Sequence, residues 1–272
     1  MNVVIVGRGR VGTGLAQGMR EASIKCQLVH GQQPPEDVIA KADTVILAVP
    51  DAAIRKCAQH IAGWPQAHTS VLHCAGARGA DELEPCRRAG AHVGVMHPLV
   101  SFADANQPPA LRGTTFVAAG DARAIEAIQH LADAVGAHTL VAPIHGPAYH
   151  ALAALVANGT VGLANAAVPM LQQLGIARRE AEQAVAGLLK TVAENIEHLG
   201  VPKALTGPMA RGDAAAVSAH RAALMQTATG VASAYDAIAP LVLRCAIDQG
   251  LPAARAEQIR EALKRGPPGS VT

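Results

Sequence analysis

The chain predicts an α/β fold in two parts: a doubly wound, mostly parallel sheet, then an all-α domain. Three observations carry this. Short, continuous apolar runs alternate with helical stretches up to about residue 145, and strand-like runs then cease in favour of long helical segments. The first apolar run, Val3-Val4-Ile5-Val6, flows directly into Gly7-Arg8-Gly9-Arg10-Val11-Gly12 and a helix. The length of 272 residues allows two domains of ordinary size, and the half of the residues that are apolar supply a core for both. With only 2% aromatics, that packing rests on Ala, Val, Leu and Ile. The expected division is 1–145 for the sheet domain and 146–265 for the helical one, with 266–272 a disordered tail.

The elements follow in order. The first helix runs over Thr13 to Arg20. Lys25 to His30 is a second strand, closed by Gln33-Pro34-Pro35, and Thr44 to Val49 is a third, apolar throughout as a strand covered on both faces must be. Pro50-Asp51 ends it, with Asp51 expected to cap the helix Ala52 to Ile61. Ser70 to His73 and Ala91 to Met96 are the fourth and fifth strands. Thr114 to Ala118, a helix over Ala122 to Val135, and Thr139 to Ala142 complete the alternation. Helices are then expected over Tyr149–Leu174, Arg178–Leu199, Ala214–Thr229, Val231–Gln249 and Pro252–Lys264, with a Gly- and Pro-rich loop at Gly200 to Asp213.

Each glycine of the opening turn has a physical task. Gly7 permits the tight reversal, Gly9 lets a pyrophosphate approach the backbone, and Gly12 lets helix and strand pack closely. The helix end presents free N–H groups and a positive dipole to the phosphates. The motif sits between strand and helix, the context a dinucleotide site needs, so the first domain reads as Rossmann-type. Gly7, Arg8, Gly9, Arg10, Val11 and Gly12 are the expected cofactor contacts, with Ala48, Val49 and Pro50 beside the nicotinamide half. Such folds place an acid about 20 residues beyond the glycines to bind the adenosine ribose. Here the second strand ends in His30-Gly31-Gln32-Gln33, with no acid before Glu36. A carboxylate would repel a 2′-phosphate, so its absence favours NADP over NAD, with Arg8 and Arg10 nearby as positive charge or as plain solvated side chains.

Other classes find little support. A net charge of +2 without basic–aromatic clusters argues against nucleic acid. The five cysteines lack C-x-x-C spacing, and no signal peptide is read ahead of Met1, so reduced thiols in a cytoplasmic protein are expected. The histidines show no metal-ligand spacing, and no metal site is expected. Ala151 to Leu174 is long and apolar enough to suggest a membrane span. It carries Asn158, Thr160, Asn165, Gln172 and Pro169, and the expectation is a buried helix in a soluble protein with no membrane contact.

The stretches His73-Cys74-Ala75-Gly76-Ala77, His97-Pro98-Leu99-Val100-Ser101-Phe102, Tyr149-His150 with Asn158, and Ala204 to Asp213 together resemble a bacterial family. That family joins a Rossmann-like domain to a helical domain of unassigned function, and its members carry provisional NADP oxidoreductase labels. The layout is more distantly similar to 6-phosphogluconate and β-hydroxyacid dehydrogenases, pyrroline-5-carboxylate reductase and ketopantoate reductase. The resemblance implies hydride transfer in a cleft between the domains and a homodimer built through the helical domain. Two departures stand out. The helix lysine of the β-hydroxyacid dehydrogenases, one turn before the active-site asparagine, falls at Ala154 if Asn158 is that asparagine. The serine frequent in the loop after the fourth strand is Ala75. The proton donor is therefore not transferable.

The candidate chemistry has competing readings. His97, expected just past a strand end where ligands of open sheets gather, is the first candidate acid; its placement is similar to the His-Pro of prephenate dehydrogenases, and its alternative role is to hold the loop. Asn158 suits polarising a carbonyl or imine, or satisfying a nearby backbone group. His150 is a catalytic candidate or a packing residue; it stands about 12 Å of helical rise from Asn158, so the two cannot grip one carbon. Ser101 and Arg211 are candidate substrate contacts, Arg211 as a carboxylate clamp or as a loop-tying ion pair. Asp213 reads as a helix cap, His220 as a solvated or dimer-contact residue, and Cys74 beside His73 as no nucleophile pair, because neighbours in a strand face opposite ways. The expected function is an NADP-dependent reductase of a small carbonyl or imine compound. The alternative is a non-catalytic nucleotide-binding sensor or assembly protein.

Overall fold

The computed structural model describes residues 1–143, 146–227 and 229–264, and the expected tail lies outside them. The chain divides into two compact units, Met1–Gly159 and Thr160–Thr272.

The first unit is a seven-stranded sheet in the order β2-β1-β3-β4-β5-β6-β7. Its strands are β1 (Asn2–Val6), β2 (Lys25–Val29), β3 (Thr44–Leu47), β4 (Ser70–His73), β5 (His92–Pro98), β6 (Thr115–Gly120) and β7 (His138–Val141). All neighbours are parallel except β5 and β6, which pair antiparallel with His97 opposite Val117. The residues between them, 99–114, form no helix, so the chain has no crossover to carry it back to a parallel start.

Alternation along the strands feeds two cores. Val3, Ile5, Ile46, Leu72, Met96 and Phe116 face α1 (Arg10–Glu21) and α5 (Ala122–Val135). Val4, Val6, Val45, Leu47, Val71 and Val93 face Ile39 of the short α2 (Glu36–Ile39), α3 (Ile54–Ile61) and Cys86 of α4 (Glu84–Arg88). The doubly wound expectation is met. Because β1 lies between β2 and β3, the chain leaves it in opposite directions, and a crevice opens beyond the C-terminal ends of β1 and β3.

Several local expectations need correction. β3 stops at Leu47, which leaves Ala48 and Val49 half-buried in the turn. Asp51 does not cap a helix: it opens a 3-10 turn, Asp51–Ala53, with no side-chain cap hydrogen bond. β5 runs on through Pro98, so His97 is within the strand rather than after it. The helices α2 and α4 fall where the sequence shows no strong period.

The last helix of the first unit, α6 (Pro147–Gln173), continues into the second, where α7 (Arg178–Leu199), α8 (Pro208–Arg211), α9 (Ala214–Thr227), α10 (Thr229–Asp248) and α11 (Ala253–Lys264) follow. Met209, Val217, Ala239, Leu243, Ala256 and Ile259, from α8 to α11, form the core there. The expected loop 200–213 thus contains the short α8, and Asp213 caps α9 by accepting the Ala216 N–H at 3.0 Å.

The expectation that Ala151–Leu174 is buried is not met. Val168 is the only buried residue of α6, while Leu155 and Val161 are 66% and 67% exposed. The same holds for α7, whose one buried residue is Ala181 and whose Leu188 is 65% exposed. By length and composition alone, α6 and residues 230–248 of α10 meet the criterion for a membrane span.

Candidate active site

The glycine turn has the geometry its sequence implies. Gly7 has φ +122°, a conformation L side chains rarely adopt, and a Cβ there would strike the carbonyl of Ala48. A Cβ on Gly12 would strike the carbonyl oxygen of Gly7, so close helix–strand contact depends on it. Gly9 is different. Its φ of −75° suits any residue, and nothing lies within 4 Å of where its Cβ would stand. The space above Gly9 is open at the start of α1, where no side chain caps the first N–H groups. Bare amides, a helix dipole and an unfilled space fit a diphosphate. Arg8, Gly9 and Arg10 are all exposed at this rim, while Gly31 at the end of β2 packs on Val49 and Gly7. The Arg8 carbonyl accepts the Thr13 hydroxyl at 3.4 Å while the Arg8 guanidinium has no hydrogen bond or ion pair among the described residues, and Arg10 reaches the carbonyl of Ala103 at 3.4 Å. His30 turns inward on its own loop, its Nδ1 accepting the Gln32 N–H at 3.2 Å.

A second feature lies in the same unit. His97, Pro98, Leu99, Val100, Ser101, Tyr149, His150, Ala154 and Asn158 contribute to a cavity of about 490 Å³. The structure thus brings together four candidates, His97, Ser101, His150 and Asn158. Asn158 is exposed, not the buried amide expected. Arg211 lies in the second unit, exposed at the end of α8. His220, also there, is exposed.

Sequence reasoning missed the partner of His97. The Tyr149 hydroxyl lies 2.8 Å from His97 Nδ1, and the two rings meet edge-on with centroids 5.4 Å apart. The His150 ring stands 6.0 Å away. A Cβ on Gly76 would fall 2.8 to 2.9 Å from Cε1, Nε2 and Nδ1 of His97. The imidazole therefore lies flat on the bare α-carbon of Gly76. Burial first, and then the positive charge His150 would carry, push the His97 pKa down to about 4, against the pull of Asp51. The expected acid is therefore an uncharged imidazole at neutral pH. Asp51, whose charge acts on His97, directly follows Ala48-Val49-Pro50 in the chain.

The loop that carries Gly76 is itself held. Buried His73 engages the carbonyl of Gly79 through Nε2 at 2.9 Å and accepts the Ala75 N–H on Nδ1 at 3.2 Å, which defines its tautomer as Nε2–H. Burial lowers its pKa, so it stays neutral in this structural role. Burial pushes the thiol of half-buried Cys74 up to about 12, which works against a nucleophilic thiolate. Among the described residues no group of His, Cys, Asp and Glu is arranged to hold a metal.

Residues 30–98 match a Rossmann-like domain, and residues 114–241 match a domain of unknown function, DUF2520. A provisionally assigned NADP oxidoreductase from Bacteroides fragilis superposes with a TM-score of 0.66 at 16% identity, over 89% of this chain and 98% of that one. A Thermotoga maritima protein gives 0.66 at 22% identity, over 91% and 99%. Pyrroline carboxylate reductase from Plasmodium falciparum, crystallised with NADP, gives 0.63 at 12% identity, over 96% and 98%. At these identities the likeness is one of fold. No curated protein matches the chain by sequence. Over residues 30–98 the chain is thus similar to Rossmann-like domains, and over residues 114–241 to DUF2520.

Proposed function

We propose that the protein is a nicotinamide-dependent oxidoreductase, with NADP preferred, that interconverts a small carbonyl or imine compound and its reduced form. The open space above Gly9, at a topological switch point lined by unpaired amides, carries this reading. Two proteins of the same fold are named for NADP, as an oxidoreductase and as a reductase crystallised with it, which supports it further. Gly7 through Gly12 would hold the diphosphate, and Ala48, Val49 and Pro50 the nicotinamide half. A coenzyme so bound supplies or accepts the hydride.

The chain's own residues then handle orientation. His97 donates a hydrogen bond to the substrate heteroatom, Ser101 and Asn158 bind its polar substituents, and His150 borders the same cavity. With His97 uncharged, the proton that completes reduction enters from water, which reaches the cavity past exposed Leu152 and Asn158. The preference for NADP rests on the missing acid after β2 and on the unpaired Arg8. Arg211 would act on a substrate carboxylate only if the substrate carries one.

A homodimer is part of the same reading. In the second unit Val161 of α6 and Leu188 of α7 are exposed, apolar side chains of the kind a partner covers, and the amides of α6 suit a protein partner better than lipid. One departure favours a non-catalytic sensor instead: if Asn158 corresponds to the active-site asparagine of the β-hydroxyacid dehydrogenases, Ala154 stands where they carry a lysine. NADPH consumption in a panel of carbonyl and imine compounds separates the two. Turnover with any member that is lost in His97→Asn supports the enzyme. Coenzyme binding without turnover across the panel supports the sensor.

A further inference from the structure

We propose that Tyr149 and Gly76 are positioning residues that fix His97 in a single neutral tautomer, with its proton on Nε2 and offered to the cavity. The role assigned to that proton rests on the reductase reading; the tautomer itself does not.

The ring is constrained on two sides. Below it, Gly76 leaves room for an imidazole face that any side chain at position 76 would displace. Beside it, Tyr149 presents its hydroxyl to Nδ1 at 2.8 Å. The two constraints are tied together, because the Gly146 N–H donates to the carbonyl of Gly76 at 3.2 Å, which links the loop after β4 to the start of α6. His73 orders that loop from its other end.

A neutral imidazole carries one proton, and the hydrogen bond at one nitrogen decides which. A phenol donates well and accepts poorly, because its oxygen lone pair is partly delocalised into the ring. The unprotonated Nδ1 is the stronger acceptor of the pair, so Tyr149 donates to Nδ1 and the proton resides on Nε2. That nitrogen has no partner among the described residues and is not sealed from solvent. It is the atom left free to meet a ligand.

The groups facing His97 keep the ring uncharged. His150 and Tyr149 approach from α6, His73 from β4, and Asp51 from the turn after β3. Only Asp51 favours the cation, and burial with the two histidines outweighs it. A neutral N–H donor suits an uncharged carbonyl oxygen or imine nitrogen, since it polarises the bond without requiring an anionic partner.

The test is nitrogen NMR of histidine-labelled, full-length protein at neutral pH, with His97→Asn used to assign the signals. The expected spectrum shows His97 with a protonated Nε2 and an unprotonated Nδ1. In Tyr149→Phe, which keeps the ring edge, the signals should move toward a mixture of tautomers. Any turnover should fall about 10- to 100-fold in kcat with NADPH affinity unchanged. Gly76→Ala should move the same signals, by tilting the ring. A proton on Nδ1, a doubly protonated ring, or a Tyr149→Phe spectrum identical to the parent would overturn the proposal. Lack of turnover in the parent protein would count against the reductase reading and leave the spectrum to decide the tautomer.

Discussion

The carbonyl oxygen of Gly7 sits where a Cβ on Gly12 would have to go. Backbone on one side and helix on the other leave nothing flexible to yield. Gly12→Ala should therefore cost about 1–3 kcal/mol, as overpacking does. Gly9→Ala, with open space and an ordinary φ, should stay within about 0.5 kcal/mol of the parent. Denaturant unfolding of both variants checks this, and equal losses would mean that the turn is packed differently.

The close packing at Gly7 and Gly12 was legible in the sequence because the glycines stand between an apolar strand and a helix. The apolar strands were legible too, since a strand covered on both faces has no other composition. The antiparallel pairing of β6 was not, because direction is set by how residues 99–114 return across the sheet rather than by the strand itself. Tyr149 was missed as the partner of His97 because 52 positions separate them and only the α6 start brings them together. The exposure of α6 was misread for a further reason. An apolar helix has the same sequence whether its own core or another molecule covers it.

The depressed His97 pKa sets a pH window. Unfolded, the ring titrates near 6.5; folded, near 4. Between these values the unfolded chain binds more protons, so the contribution of His97 is intact above 6.5 and is lost as pH falls toward 4. His73, also lowered by burial, acts in the same direction. After allowance for partial solvent screening, the His97 share is roughly 1–2 kcal/mol. Melting temperature against pH should fall more shallowly in His97→Asn than in the parent. Parallel curves would contradict the buried, neutral ring.

The proposed preference for NADP rests on the end of β2. His30→Asp places a carboxylate where the adenosine ribose is expected. NADPH affinity should then drop about 10-fold or more relative to NADH, through charge repulsion with the 2′-phosphate. Fluorescence titration with both coenzymes reads the ratio. An unchanged ratio would remove this position from the adenosine site.

The dimer reading predicts that the protein runs as two copies in light scattering and that Leu188→Glu, on the exposed face of α7, yields monomer with its helical content retained. A monomeric parent, or a Leu188→Glu variant that stays dimeric, would show that this face is not the interface.

The proposed function stands on a coenzyme diphosphate resting on the bare amides above Gly9. Calorimetric titration of the parent protein and of Gly9→Leu with NADPH and NADH tests it most directly. Saturable uptake of a coenzyme by the parent, NADPH the tighter, with loss of uptake in a Gly9→Leu protein that remains folded, is the predicted result. Failure of the parent to bind either coenzyme, or binding by Gly9→Leu equal to the parent, would contradict it.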